Sequence, residues 1–536
     1  MKKPQPQQAH ADVTLNADAI RAQLARIEGD PLLGQARRLK ALLRYLVEET
    51  LAGQGDRLKA YTVGLEVFAK PDSFDPQSDP IVRVQASRLR QLLEKYYAGP
   101  GCRDPLLIEL VRGSYKPRFH PRTRRDAGVA TELEPPLLAV APLRCLGSDP
   151  AQRLFCQGLN DEFITRLSDY DSLRVLAGPV VRSHLKRHAN PRRLHQDLGV
   201  TYLLEGSVQQ DGNGLWVNLR LNDLSSATQC WGQRYEHPPV APARMLAAQA
   251  DIAARAVAVL AGPYGVIYRL QRCRAGTDHY PYSAVLRFQR YIEIRDAATH
   301  REAREALEAA LDVAPEHADA WAALAAIHVG EAIYGFNPRP EPTPALARAQ
   351  AAAYRALALA PLHSGGQRAL TMVLFYQGEM AAFFSATERL LETLPRRVEI
   401  LVHCGHYLAL AGQWARGRAL LEEAVGLNPL LPTWYHLSFA LDHYRRGEHR
   451  AALEQARQLN MPGFFWDAII EAVTAAAAGE ARAAEQARQR LRHLSPWAWQ
   501  HIHTVVHGLI KEPALAERCL RDLGVQRVPS LVLAGA

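Results

Sequence analysis

Apolar positions near the start of the chain recur at helical spacing. Leu39, Leu42, Leu43 and Leu46 predict a helix from Arg37 to Ala52, which Gly53 and Gly55 stop. A second helix fits Leu58 to Phe68. The turn-rich stretch PDSFDPQSDP follows, in which Asp79 suits a helix cap and Pro80 the first helical position. In the third helix, Val82, Ala86, Leu89, Leu93 and Tyr96 lie within about 40° of one direction, with Leu92 and Tyr97 at its edges. That stripe faces a core. LLIELVRGSYKPRF then carries β-formers on both sides of Arg112-Gly113 and reads as a two-stranded hairpin.

Farther along, the period changes twice. LLAVAPL, from Leu137 to Leu143, suits a buried strand, and Gly158 to Leu167 suits a helix with Leu159, Phe163, Ile164 and Leu167 inside. LRVLA returns as a strand. Two alternating runs flank Asp211-Gly212-Asn213-Gly214, a strong hairpin signal, and a third strand fits Gln229 to Tyr235. Beyond a soft break at Gly276–Pro281 the chain is Ala-rich and helical. Pro361, Pro395 and Pro429 are 34 residues apart, and Pro462 and Pro496 continue the series. Gly378, Gly412, Gly447 and Gly479 each stand about midway between two of them. A proline-ended helix pair with a glycine turn at this period is the tetratricopeptide signature. Pro315 falls out of step, so Phe336–Pro344 is expected to be an insertion, and an atypical unit begins near Tyr282.

These patterns divide the chain into a flexible or helical segment 1–36, a domain 37–119 of three helices and a hairpin, and a polar linker 120–136. A small α/β domain 137–237, a helical connection 238–281 and helical repeats 282–536 complete it. The expected fold class is multidomain: a winged helix-turn-helix-like α+β domain, a small α/β domain and an all-α solenoid.

Charge sharpens one part of this picture. The net charge is +9, and residues 1–126 hold about 22 Lys and Arg against 15 Asp and Glu. A basic end on a near-neutral body suggests a polyanionic partner. Opposite its core stripe, the third helix carries Arg83, Ser87, Arg88, Arg90, Gln91 and Lys95 beside Val84, with Glu94 the one acid there. Arg, Ser and Gln on one side can meet phosphates and base edges of double-stranded DNA. Arg112 and Lys116 on the hairpin could reach an adjacent phosphate. The plainer reading is a solvated helix face.

Other chemistry is sparse. The sequence shows no P-loop, no G-x-S-x-G and no paired catalytic carboxylates, so the expectation is that the chain is not an enzyme and uses no cofactor. Glu205, ahead of Gly206 in a strand pattern, reads as structural. The cysteines are odd in number and show no C-x-x-C, arguing against a disulfide framework or zinc ribbon. His503 with His507, and His403 with Cys404 and His406, have ligand-like spacing, but ordinary helix residues are the simpler reading, so no metal is expected. No apolar run reaches the ~18–20 residues of a membrane span. No signal peptide is visible, and a cytoplasmic location without membrane contact is expected.

Three stretches also carry resemblances. LLRYLVEETLAGQGDRLKAYTVGLEVF, FDPQSDPIVRVQASRLRQLLEKYY and DPLLIELVRGSYKPRF together resemble the amino-terminal domain of a group of bacterial regulator-like proteins. The helix and hairpin are also similar to an OmpR/ToxR-type winged helix, whose third helix reads DNA and whose hairpin is the wing. LAVAPL, GLNDEFITRLS, LGVTYLLEGSV and WGQRYE resemble the marks of a TolB-like domain, which implies interaction or ligand sensing. TolB-like and repeat modules also follow class III adenylate cyclase domains. No such domain is legible here, so a cyclase assignment is expected not to transfer.

The functional expectation is therefore a cytoplasmic regulator that binds DNA through its first domain and a protein or peptide on its repeats. Arg396, Arg397, Tyr407 and His436 are groove candidates, and a homodimer is a further expectation. The alternative is a protein-interaction scaffold in a signalling pathway without DNA binding.

Overall fold

In the computed structural model the chain parts into two units, Met1–Glu132 and Leu133–Ala536. The residues described are 17–30, 37–68, 70–72, 74, 75, 79, 81–98, 101, 104, 106–110, 114–121, 134–147, 149–188, 190–211, 214–238, 244–274 and 280–525.

The first unit contains α1 (Ala17–Gly29), α2 (Arg37–Leu51), α3 (Ala60–Phe68), α4 (Ile81–Ala98), β1 (Leu106–Glu109) and β2 (Arg118–Pro121). α1 lies in the segment left open between flexible and helical, and its Ile20, Leu24 and Ile27 are buried with α2, α4 and β1. α3 starts at Ala60 instead of Leu58 because a 3₁₀ turn, Gly55–Arg57, precedes it. In α4 the expected stripe is the buried one: Val82, Ala86, Leu89, Leu93, Tyr96 and Tyr97. Each large apolar side chain so covered contributes about 1.5–3 kcal/mol relative to exposure. β1 and β2 pair antiparallel, Leu106 opposite Pro121 and Glu109 opposite Arg118.

The second unit opens with a mixed sheet. Its strands are β3 (Leu137–Val140), β4 (Arg144–Cys145), β5 (Arg174–Val175), β6 (Tyr202–Asp211), β7 (Gly214–Asp223) and β8 (Thr228–His237). The order is β5-β3-β6-β7-β8, with β4 also on β6. β6 runs parallel to β3 and β4 but antiparallel to β7, with which it forms the expected hairpin, Asp211 opposite Gly214. β3 and the start of β6, Tyr202–Leu204, are covered on both faces and are apolar without a break, whereas β7 alternates apolar with polar residues. Leu138, Val140, Tyr202 and Leu204 face α5 (Pro150–Ser168) and α8 (Met245–Leu260). Ala139, Ala141 and Leu203 face α6 (Gly178–Arg187) and α7 (Arg192–Leu198), two helices absent from the expectation. α5 is longer than expected because Asp149 caps it, accepting from Ala151 N at 2.9 Å, with Pro150 first. Gly206 is small for a visible reason: a Cβ there would stand 2.4 Å from the Asn218 carbonyl oxygen.

α9 (Val266–Arg274) leads into antiparallel helix pairs. These are α10 (Pro281–Ile294) with α11 (Ala297–Val313), α12 (Ala318–Tyr334) with α13 (Ala345–Leu359), and α14 (Ser364–Gln377) with α15 (Met380–Thr393). α16 (Val398–Leu410) with α17 (Trp414–Leu427), α18 (His436–Arg445) with α19 (His449–Leu459), and α20 (Phe465–Ala477) with α21 (Ala481–Leu494) continue the array. α22 (Pro496–Gln500), α23 (Ile502–Leu509) and α24 (Pro513–Asp522) end it. The periodic glycines occupy the turns inside the pairs. Gly378, Gly412, Gly447 and Gly479 have φ of +80°, +96°, +78° and +81°, where a Cβ is strained. The expected insertion lies between α12 and α13. It is fastened by Arg339 to Glu308 at 2.7 Å and by Arg304 donating to the Asn337 carbonyl at 2.8 Å.

The α/β portion and the repeats share a seam. Asn428 Nδ2 donates to the Ala258 carbonyl at 2.9 Å, and Gln271 Nε2 donates to the Tyr202 hydroxyl at 2.9 Å. Arg397 lies 4.2 Å over the Tyr170 ring, donates to the Asp169 carbonyl at 3.2 Å and pairs with Glu399 at 2.5 Å.

Candidate nucleic-acid interface and repeat groove

α4 is held firmly enough to present a fixed face. At its start, Asp79 Oδ1 accepts from Ile81 N at 3.1 Å, the expected cap, while Asp79 Oδ2 pairs with Lys70 at 2.7 Å. The two contacts hold the Asp79 carboxyl below its ordinary range, the Lys70 hydrogen bond first. At its end, Tyr96 donates to Asp104 at 2.6 Å, and the Tyr97 hydroxyl accepts from Ile108 N at 2.8 Å.

The candidate contact residues separate into groups. Arg83, Ser87 and Arg88 are exposed, and beside them Val84 is 42% exposed. Among the described residues, Arg83 and Arg88 join no ion pair. Arg90 differs: it is half-buried, and its guanidinium donates to the carbonyls of Leu110 at 2.9 Å and Ser114 at 3.0 Å. It ties the hairpin to α4, a role spacing alone did not reveal. Gln91 and Lys95 are on α4, but their side chains lie outside the described residues, as does all of Arg112. Lys116 is exposed, with its aliphatic stem packed over Gly55, where a Cβ would meet it at 2.8 Å.

Of the groove candidates, Arg397 belongs to the seam. Arg396 pairs with Asp251 at 3.5 Å and Glu423 at 3.3 Å, so both leave the groove. His436 Nδ1 meets Gln455 at 2.7 Å. Tyr407 does line a cavity on the repeats.

Three of the spaced histidines are engaged singly, and His503 Nε2 is buried without a hydrogen-bond partner among the described residues. His403 bonds Thr371 at 2.8 Å, His406 bonds Ser438 at 2.7 Å and His507 bonds Glu517 at 3.1 Å. A different trio, His184 and His188 on α6 with Asp197 on α7, brings donor atoms within 4.8 Å of one another. There His184 Nε2 meets Asp197 at 3.1 Å. Arg182, Lys186, Arg187, Arg192 and Arg193 on the same two helices give local positive charge that opposes a cation. No helix among the described residues is long and apolar enough to cross a membrane.

No protein-family model matches the chain. A curated protein called "Putative adenylate cyclase 3", from Rhizobium meliloti (strain 1021), is 27% identical over 223 residues, covering 40% of this chain. The match spans 37% of that relative's length. Among solved structures, a monomeric mutant of IFIT1 with Gppp-AAAA aligns at 14% identity and a TM-score of 0.35, over 52% of this chain and 64% of that one. A human IFIT1 dimer with PPP-AAAA aligns at 14% identity and a TM-score of 0.34, over 53% and 70%. The curated relative corrects the expectation that the chain is not an enzyme, because its name is that of one. Missing motifs are weak grounds against a positive similarity, since catalytic groups often assemble from residues far apart in sequence.

Proposed function

We propose that this protein is a regulator that binds double-stranded DNA through α4 and docks a protein partner on its helical repeats. In this reading α2, α3, α4 and the hairpin form a winged helix and the sheet region is a TolB-like domain. The observation that carries it is the exposed set Arg83, Ser87 and Arg88 on a helix whose opposite face is core. Arginine forks suit guanine edges and phosphates, and Ser87 adds a small donor and acceptor between them.

The test is binding of the full chain to mixed genomic DNA fragments across a salt series, with Arg88→Ala beside it. Affinity that falls steeply with salt, and a variant weaker by about 1–3 kcal/mol with relaxed selectivity, support the reading. No binding at low salt sinks it and leaves a protein-interaction scaffold.

The curated relative motivates a second reading, turnover of ATP to cyclic AMP. Incubation with ATP and Mg²⁺ or Mn²⁺ decides it: cyclic product above a protein-free blank supports it, and none removes it.

A further inference from the structure

The first helices of successive pairs enclose a cavity of about 100 Å³. α10, α12, α14 and α16 supply most of its wall, Trp434 follows from the turn before α18, and Tyr264 enters from the segment before α9. Two guanidinium groups line it. Arg368 of α14 is half-buried, its Nε is shut off from solvent without a hydrogen-bond partner, and it joins no ion pair among the described residues. Arg295, in a left-handed conformation at φ +55°, donates to the Tyr334 hydroxyl at 3.0 Å and lies 5.1 Å over the Trp434 ring. These contacts aim the Arg295 charge and do not neutralise it. Asp319 is the acid in the lining, and it is hydrogen-bonded to His363 at 2.9 Å. His403 and His406 stay neutral because burial drives their pKa values down, that of His406 to about 3. The cavity therefore holds two cations against one already engaged carboxylate, between the rings of Tyr264, Phe288, Tyr407 and Trp434.

A half-buried guanidinium whose Nε is shut off from water without a partner is stabilised by an anion that occupies its free donors. We propose that this cavity is a binding site for a small organic anion, a carboxylate or phosphate borne on an aromatic or apolar body. A single water needs only ~10–15 Å³ of such space, so the cavity admits the charged head with part of its carrier. The inference stands apart from the DNA reading, since it uses only the repeat region.

The experiment is calorimetric titration of the full chain with benzoate and with phenyl phosphate, against neutral benzamide, each at millimolar concentration. Saturable binding of at least one anion and none of benzamide is expected. Arg368→Gln should weaken anion binding about tenfold or more, the range for a lost charged hydrogen bond. In anion-free buffer the same variant should melt close to the parent, since Arg368 joins no ion pair among the described residues. Ala326→Leu, which fills the cavity from α12 without touching a charge, should also lose the anion and serves if Arg368→Gln fails to fold. Absence of anion binding, equal binding by a folded Arg368→Gln, or equal binding of benzamide overturns the proposal.

Discussion

Single residues in α4 divide the work between display and support. Arg83 and Arg88 are displayed; Arg90 supports. Replacing Arg90 by Ala strands the Leu110 and Ser114 carbonyls, and the first unit should lose about 1–3 kcal/mol in urea unfolding. Arg90→Lys should recover little, because a point charge cannot span two carbonyls as a planar fork does. Glycines make a second contrast. Gly405 on α16 meets α17 so closely that a Cβ would stand 2.8 Å from the Gly417 carbonyl oxygen. Gly405→Ala should therefore destabilise by about 1–3 kcal/mol, the cost of overpacking. Gly412, at φ +96° in open space, has only backbone strain to lose, and Gly412→Ala should cost about 1 kcal/mol. In thermal melts Gly405→Ala should lose the more of the two, and a larger loss for Gly412→Ala would refute this division.

At the level of elements, how much could be read in advance depended on how local the determinants are. The stripe of α4, its Asp79 cap, the Asp211–Gly214 hairpin and the repeat turns at Gly378, Gly412, Gly447 and Gly479 all follow from neighbours within a few residues. α6 and α7 were missed because each is short, and their apolar anchors, Val181 and Leu194, are sparse; tertiary contact with the sheet makes them helices. The stripe of α1 gains meaning only against α2 and β1, so its sequence is equally compatible with a flexible or a helical segment. Arg396 and Arg397 look like groove residues in sequence because nothing there indicates that Asp251 or Tyr170 will meet them. The cavity was not legible at all: Arg295 and Arg368 stand on different repeats and share it only after stacking. One element-level test concerns the insertion. Arg339→Ala removes its tie to Glu308 and one hydrogen-bonded ion pair near the surface, so proteolysis between Phe336 and Pro344 should quicken while the melting temperature shifts little.

At the scale of the molecule, buried histidines couple the repeats to pH. Burial lowers the pKa of His300 and of His328 to about 4, with Arg348 adding to the second, and that of His406 to about 3. An unfolded histidine takes up its proton near pH ~6.5, so between that pH and the folded values the unfolded chain binds more protons. The stabilisation is complete above pH ~6.5 and is lost as pH falls toward about 4. Urea midpoints measured from neutral pH downward should fall across this window, and a flat profile would contradict it. The seam has a consequence of another kind. A linear stack of helix pairs can fray from either end, each unit leaning only on its neighbours. Here Asn428 and Arg397 clasp the stack to α8 and to the end of α5, Gln271 ties α9 to β6, and the far end folds back on the stack, Lys511 N donating to the Leu410 carbonyl at 3.0 Å and Trp414 Nε1 to Glu512 at 2.9 Å. Loosening should thus be concerted, like a belt buckled back on itself: amide exchange in α23 and α24 should keep pace with α16 to α18, and a gradient rising toward α24 would contradict it.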